Sequence, residues 1–449
     1  MEEKEFDVFV IGSGIAGQTV AETCAKAGKK VAIVDNREFG GTCANRGCDP
    51  KKVLMSLTEI LEDAHNLKKK EILQSPKFNW KKLQQFKKKF TAKVPESTEK
   101  KLKNLGITLY HQSPKFLDER TVLVEGKKII AKHYVIATGY EPRKFNFDGH
   151  KHLKSSDEFL NLKALPKHIT FMGAGYVGME LAHIAVRAGV KVTVIDSGER
   201  PLSAFDKDLV KELTHYSKKL GIDYIFKAKI TSLQKLRKNY KITYIKGGKK
   251  PTFKSRMLFN TAGRVPAISQ LDLKKANVLF SDAGIETNAF LQSKSNTAVY
   301  ACGDVSANGL PLTPLSGLEG HIAAKNILEG KQKKLSYPVI PSVVFTLPNL
   351  ASVGYSEEEA QARFKNIIIK QGVANAWFNA KRINAPVYSY KILLNERTDE
   401  IVGAHLLGPE AAETINIFTM AINAKMTARD LKTTIFTYPS WVNDVKSMV

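Results

Sequence analysis

One pattern of apolar and polar positions occurs twice in the chain. Residues 6–35 read FDVFVIGSGIAGQTVAETCAKAGKKVAIVD, and residues 168–196 read HITFMGAGYVGMELAHIAVRAGVKVTVID. Each copy begins with an apolar strand, turns through glycines, opens a helix and reaches a second strand that ends in aspartate. Gly12, Gly14, Gly17, Gly28 and Asp35 recur as Gly173, Gly175, Gly178, Gly189 and Asp196, each 161 positions later. Further along, YVIATG (134–139) and TAVYACGD (297–304) read as strands ending in glycine turns, the second at Gly303-Asp304. From Tyr337 the pattern changes. Alternation in SVVFTL, YSYKILL and IVGAHLLG predicts antiparallel strands, followed by helical AAETINIFTMAINAKM and a helix start at TARDL. Residues 51–105 read as a long, lysine-bearing helical excursion, and no segment is of low complexity.

A lone GxGxxG is a weak signal that a chance glycine turn can imitate. Here both copies lie between a strand and a helix and end in the acidic residue, which is the full context of a dinucleotide fingerprint. The first glycine makes the tight turn, the second lets backbone approach a pyrophosphate, and the third lets helix pack on strand. The helix N-terminus stabilises phosphate charge. Two fingerprints imply two dinucleotides, naturally FAD and a nicotinamide nucleotide. Asp196 would bond a free ribose 2′-hydroxyl and repel a 2′-phosphate. Of Ser197, Gly198, Glu199 and Arg200 after it, only Arg200 favours the phosphate. The pattern therefore points to NADH over NADPH.

Composition narrows the class. The 449 residues, 43% apolar and 25% charged, describe a globular chain of several domains. No apolar run has the length of a membrane span. The acidic N-terminus enters a strand by about residue 6, so no secretory signal and a cytoplasmic location are expected. The formal charge is +25, with lysines crowding 68–103, 207–256 and 325–334. No aromatic interleaving accompanies them, so they read as solvated helix faces rather than a nucleic-acid footprint.

Four cysteines do not make a disulfide scaffold. Cys43 and Cys48 in GGTCANRGCDPKK leave three readings: metal clamp, inert staple or working redox pair. Zinc favours shorter spacing and more ligands than this stretch offers. Five positions along an ideal helix put the two side chains off one face, so pairing needs a local distortion. Gly47 and Pro50 supply the means, since Pro50 has no N–H for the Arg46 carbonyl. A helix N-terminus with Lys51 and Lys52 favours thiolate, while Asp49 opposes it. That is the setting of a reactive dithiol.

Two fingerprints, GGTCxxxxCxPKK, ATG, GD and an antiparallel C-terminal domain together resemble the class I pyridine nucleotide-disulfide oxidoreductases. These include glutathione reductase, dihydrolipoyl dehydrogenase and mercuric reductase, and the resemblance spans essentially the whole chain. It implies an α/β fold: two Rossmann-like dinucleotide-binding domains plus an α+β C-terminal dimerisation domain. The expected divisions are an FAD-binding domain (1–147), an NAD(P)H-binding domain (148–264), a central part completing the FAD domain (265–334) and a dimerisation domain (335–449). A homodimer that builds each active site from two subunits is implied.

By position, the resemblance gives the FAD pyrophosphate to Gly12, Gly14 and Gly17 and the adenosine ribose to Asp35. Thr42, Lys51, Thr138 and Gly139 would lie near the cofactor, with Asp304 on the ribityl chain and Thr313 close by. Gly173, Gly175, Tyr176, Val177, Gly178, Asp196 and Gly263 would serve the nicotinamide nucleotide, with Tyr176 as the gate over its pocket. Glu180 resembles the carboxylate that pairs with the motif lysine, here Lys51. Cys48 would be the charge-transfer thiol and Cys43 the interchange thiol. The implied relay runs from NADH through FAD to the Cys43–Cys48 disulfide and on to a substrate disulfide.

The chain also departs from that pattern. The disulfide reductases of the family carry His-Pro-Thr-x-x-Glu near the C-terminus, and the aligned stretch here is FTYPSWVND (436–444). Tyr438 takes the His position and Asn443 the Glu position. With an ordinary pKa near ~10, Tyr438 is a poor base at neutral pH, though it can donate a proton. Glu22 and His321 replace positions that resemble glutathione-contacting arginines. No cysteine follows Cys302, so the second, C-terminal pair of mercuric and large thioredoxin reductases is missing. An uncommon disulfide is the expected acceptor; metal ions, quinones or oxygen form the alternative, and a non-catalytic flavoprotein that governs a partner is the third reading.

Overall fold

The computed structural model describes residues 2–449, and no helix among them is long and apolar enough to cross a membrane. The chain divides into two compact units. One is Met1–Val53, Lys82–Arg143 and Gly263–Ser336; the other is Leu54–Lys81, Lys144–Ala262 and Tyr337–Val449.

The first unit is built on a parallel sheet in the order Thr108–Tyr110, Val31–Val34, Glu3–Ile11, Lys127–Ile136, with Val299–Ala301 parallel to the last. The second contains a parallel sheet in the order Ile222–Ile225, Lys191–Ile195, His168–Met172, Met257–Asn260. Strand order is the same in both. Register repeats too: Val8 pairs Val31 and Ile11 pairs Val34, as Ile169 pairs Val192 and Met172 pairs Ile195. Buried, β-branched runs suit strands covered on both faces. Val31–Val34 is buried at all four positions, and Val192–Ile195 likewise.

The second unit also holds the antiparallel sheet expected after Tyr337. Its order is Ser342–Val344, Asn349–Gly354, Ile401–Gly408, Ser389–Asn395, Ile367–Val373. The helix Ala411–Asn423 packs its apolar face, including Ile415 and Phe418, into the same core. At TARDL, Thr427 and Asp430 form a reciprocal capping box that starts the helix Ala428–Thr433. The predicted excursion is three helices, Cys48–Lys68, Trp80–Thr91 and Val94–Asn104.

A buried lysine ties this sheet to the nucleotide-binding part of its unit. Lys391 is 1% exposed, and its ammonium lies 2.8 Å from Asp206, 2.6 Å from Asp208 and 2.8 Å from Glu357. Asp206 in turn caps the helix Lys207–Lys219 by accepting from the Asp208 and Leu209 N–H groups. Burial alone would raise the Asp206 pKa; the bonds from Lys391 and the Leu209 N–H outweigh it and hold the carboxyl below its ordinary value. A carboxyl depressed in the fold adds stability above its unfolded pKa and loses it as pH falls through the folded value. Lys391→Met strips the counter-charge from three carboxylates, and near neutral pH it is expected to cost about 3 kcal/mol. Denaturant titrations should show that cost shrinking as pH falls through the lowered folded pKa of Asp206. A cost that does not shrink on acidification, down to the pH at which the fold itself is lost, would contradict the ion-pair account.

Candidate active site

Each fingerprint closes on itself in the same way. In the first, a Cβ at Gly12 would stand 2.3 Å from the Ala137 carbonyl oxygen, and one at Gly17 1.9 Å from that of Gly12. In the second, the matching distances are 2.4 Å from Thr261 O for Gly173 and 2.1 Å from Gly173 O for Gly178. Gly12 and Gly173 also take φ of +107° and +109°, so only glycine fits there. The middle glycines, Gly14 and Gly175, have nothing within 4 Å of a would-be Cβ. Each precedes a helix, Ile15–Lys26 or Tyr176–Arg187, that has no side-chain cap. First-turn N–H groups without a side-chain cap beside open space are what an anionic pyrophosphate needs.

The terminal aspartates have a structural job that the sequence pattern did not announce. Asp35 accepts from Ser13 N at 2.8 Å, Ser13 Oγ at 2.7 Å and Arg37 N at 3.0 Å. Asp196 accepts from Ala174 N and Gly198 N, both at 2.6 Å. Each carboxylate thus anchors its own glycine turn. A cavity of about 330 Å³, lined by Ala174, Gly175, Asp196, Arg200 and neighbours, opens beside the second. The Arg200 guanidinium donates to the carbonyls of Leu202, Ser203 and Phe205, and Glu199 pairs with Lys227 at 2.5 Å.

The first unit also carries buried groups that suit a bound cofactor. Thr138 Oγ1 and Arg264 Nε are buried without a protein partner, and such atoms call for one from a bound group. Gly139 has φ +65° and open space at its Cβ position. Asp304, whose pKa is raised by burial against the opposing charge of Arg264, accepts a long bond of 3.4 Å from Ser316 Oγ. The donor and acceptor chemistry of these residues fits a polar cofactor such as FAD. Gly263, with φ +98°, accepts from Arg143 N.

The cysteine pair lies where one helix gives way to another. Gly41–Arg46 is helical, Gly47 is not, and Cys48 is the first residue of the helix Cys48–Lys68. A Cβ at Gly47 would approach Thr42 O to 2.8 Å and Cys43 Cα to 3.1 Å, so no other residue fits the crossing. Lys51 N then bonds Gly47 O at 3.2 Å and begins the new ladder. Cys43 and Cys48 are both free thiols, Cys43 half-buried and Cys48 exposed. The influence of Cys43, with help from Lys51 and Thr313, lowers the Cys48 pKa to about 6. The influence of Cys48, with burial, pushes Cys43 up. Asp49 opposes ionisation of both, as expected. Thr313, the first residue of the helix Thr313–Glu329, touches both thiols; nothing in its LTP context placed it there.

The remaining candidates belong to the second unit. Tyr176 is 47% exposed at the start of its helix, with Val177 beside it. Glu180, 2% exposed, accepts from Phe345 N at 2.8 Å. Tyr438 is 68% exposed, its ring 6.3 Å from that of Phe378. Trp441 packs edge-on against Tyr388 at 5.3 Å, with the Arg382 guanidinium 5.7 Å from its ring. Beneath them, Asn379 donates to Ser440 O and to Asp444, whose pKa burial raises. Glu22, on the first fingerprint helix, pairs with Lys101 at 2.5 Å, and His321 is exposed.

Residues 6–320 match the family described as pyridine nucleotide-disulphide oxidoreductase, and residues 340–449 match its dimerisation domain. The chain is 30% identical over 444 residues to a dihydrolipoyl dehydrogenase of Staphylococcus aureus, covering 97% of this chain and 94% of that one. It is 30% identical over 460 residues to a glutathione reductase of Nostoc sp., covering 99% of both. Its fold is similar to that of the HOCl-induced flavoprotein disulfide reductase RclA from Escherichia coli, solved as a Cu(II) complex, with a TM-score of 0.89, 25% identity and 99% of both chains covered.

The dithiol geometry makes a direct prediction. In the reduced protein, the ultraviolet absorbance of a thiolate should titrate with a midpoint near the pH of about 6 set for Cys48. Cys48→Ser should abolish that low-pH step and Cys43→Ser should retain a thiolate. Loss of the step in Cys43→Ser alone would reverse the assignment.

Proposed function

Because the chain belongs to the pyridine nucleotide-disulphide oxidoreductase family, which is FAD-dependent and uses NAD(P)H, we propose that it is an NADH oxidoreductase whose Cys43–Cys48 pair passes electrons to an external disulfide. The observation that carries this reading is the placement of two free thiols across one helix interruption, Cys43 in Gly41–Arg46 and Cys48 opening Cys48–Lys68 with Lys51 in its first turn. When bound, FAD supplies a two-electron carrier between nicotinamide and dithiol. Gly12, Gly14, Gly17 and Asp35 would hold its phosphate and ribose end, with Thr42, Thr138, Gly139, Asp304 and Thr313 along the rest. Lys51 would lie towards its isoalloxazine end, and Glu180 would serve as the carboxylate that the family uses in flavin reduction. Gly173 to Gly178 and Asp196 would hold NADH under the Tyr176 gate. The dimerisation domain supports a homodimer.

The chemistry of the pair then follows from its sulfurs. Two electrons and one proton open the internal disulfide to the Cys43 thiol and the Cys48 thiolate. Cys43, deprotonated by the neighbouring Cys48 thiolate, attacks one sulfur of the acceptor; a Cys43–S bond forms, the acceptor S–S bond breaks and one thiolate leaves. Tyr438, open to solvent, can give that thiolate a proton. Cys48 then attacks the Cys43 sulfur, restores the internal disulfide and releases the second thiol. Glutathione fits poorly, because Glu22 and His321 stand where arginines would bind its carboxylates.

A second acceptor class has its own support. The structural neighbour RclA was solved as a Cu(II) complex, and Tyr438 removes the histidine that disulfide turnover uses. A thiolate pair is a soft donor set that suits copper. In that reading, two Cu(II) ions each take one electron as the dithiol closes to a disulfide.

Preference for NADH is supported by the second fingerprint. Arg200 is committed to three carbonyls, and the Asp196 carboxylate lines the cavity, where its charge would repel a 2′-phosphate. Losing one ribose hydrogen bond is worth about tenfold. Asp196→Ala is therefore expected to cut the ratio of kcat/KM for NADH over NADPH by about that factor, and an unchanged ratio would reject the role. Cys43→Ser should leave flavin reduction by NADH within about twofold of wild type and lower turnover of a small disulfide or of Cu(II) by a hundredfold or more. Retained turnover of both acceptors would sink the dithiol relay; loss with only one acceptor would identify the substrate class.

A further inference from the structure

The stretch 345–347 joins the strands Ser342–Val344 and Asn349–Gly354, and three side chains of one helix hold its backbone. Glu180, His183 and Arg187 lie on one face of the helix Tyr176–Arg187, spaced by three and four residues. Glu180 Oε1 accepts from Phe345 N at 2.8 Å, and His183 Nδ1 accepts from Leu347 N at 3.2 Å. Arg187 Nη2 donates to Leu347 O at 2.6 Å. The peptide that orients the Glu180 carboxylate is thus fixed, two residues on, by His183 and Arg187.

The state of His183 follows from proton counting. Ser217 has one hydroxyl proton and gives it to Leu213 O at 2.7 Å. Ser217 Oγ, 2.9 Å from His183 Nε2, must therefore accept, so Nε2 carries the ring proton. That leaves the Nδ1 lone pair for Leu347 N, with Arg187 Nη1 also 3.1 Å away. Burial, followed by the charge of Arg187, keeps the imidazole neutral. Arg187 is itself held by a buried ion pair of 2.7 Å with Glu62, whose other oxygen accepts from Tyr216 OH at 2.5 Å.

We infer that His183, locked as the Nε2–H tautomer, is a positioning residue: with Arg187 it sets the register of 345–347 along the helix, and through Phe345 N–H it fixes the Glu180 carboxylate. This rests on the proposed role of Glu180 in flavin reduction. A neutral acceptor is essential, because a protonated imidazole would oppose both the Leu347 N–H and the Arg187 guanidinium.

The test uses the FAD-loaded enzyme, well below its melting temperature. His183→Leu keeps bulk but offers no acceptor. It should speed amide hydrogen exchange across 345–349 and slow flavin reduction by NADH, each by about tenfold. His183→Asn, which places an oxygen close to the former Nδ1, should restore both to within about threefold. Ser217→Ala leaves the ring in place but frees its tautomer, so it should give an intermediate loss and keeps the test open should His183→Leu fail to fold. Unchanged exchange in both His183→Leu and Ser217→Ala overturns the inference. So does faster exchange with an unaltered rate of flavin reduction, if Glu180→Gln slows that rate. Should Glu180→Gln leave the rate unaltered, the reading of Glu180 itself fails, while exchange still reports whether His183 holds the segment.

Discussion

At Gly47 the backbone crosses so close to the Thr42 and Cys43 peptides that no side chain can stand there. Pro50 removes the N–H that would bond the Arg46 carbonyl, and the ladder restarts with Lys51 N on Gly47 O. One helix therefore becomes two. This interruption converts an unfavourable five-residue spacing into a pair of thiols that act on each other's ionisation, and it puts Cys48 at a helix N-terminus with Lys51 in its first turn. The low Cys48 pKa and the high Cys43 pKa are two sides of that one interaction. A continuous helix through Gly47 would hold the same residues without the chemistry.

The chain repeats one solution to the glycine turn of a dinucleotide fingerprint. The repeat was legible in the sequence because its constraints are local: glycine at two close approaches, a buried strand, an acidic end. It reaches further than the motif, into strand order and residue-by-residue register. The antiparallel sheet was legible for the same reason, since alternation with period two is written into each strand. What escaped reading is held together over long separations. Arg187 meets Glu62 across 125 residues, His183 meets Leu347 N across 164, and Lys391 meets Asp208 across 183. No periodicity marks such partners. Thr313 belongs here too: it sat in a recognised motif, but its contact with the thiols depends on where its helix begins.

The C-terminal segment shows how a site changes when one titratable group is exchanged for packing. Where the resemblance predicts histidine held by glutamate, this chain has Tyr438 against Phe378, with Trp441 against Tyr388 and near Arg382. Asn379 and Asp444 brace the segment from below. Aromatic packing keeps shape but supplies no base in place of the histidine. The acceptor must then be one whose reduction tolerates a weak acid in place of a base, which is why an uncommon disulfide and a soft metal ion both remain chemically sensible.

The central claim is that electrons reach the acceptor through Cys43 and Cys48. Anaerobic titration of the FAD-loaded enzyme with NADH, following the flavin spectrum and free thiols together, tests it most directly. The account predicts that the first two electrons produce two new thiols and a long-wavelength thiolate–flavin band, while Cys48→Ser yields neither. Bleaching of the flavin with no new thiols would contradict it, and would take the cysteine pair out of the electron path.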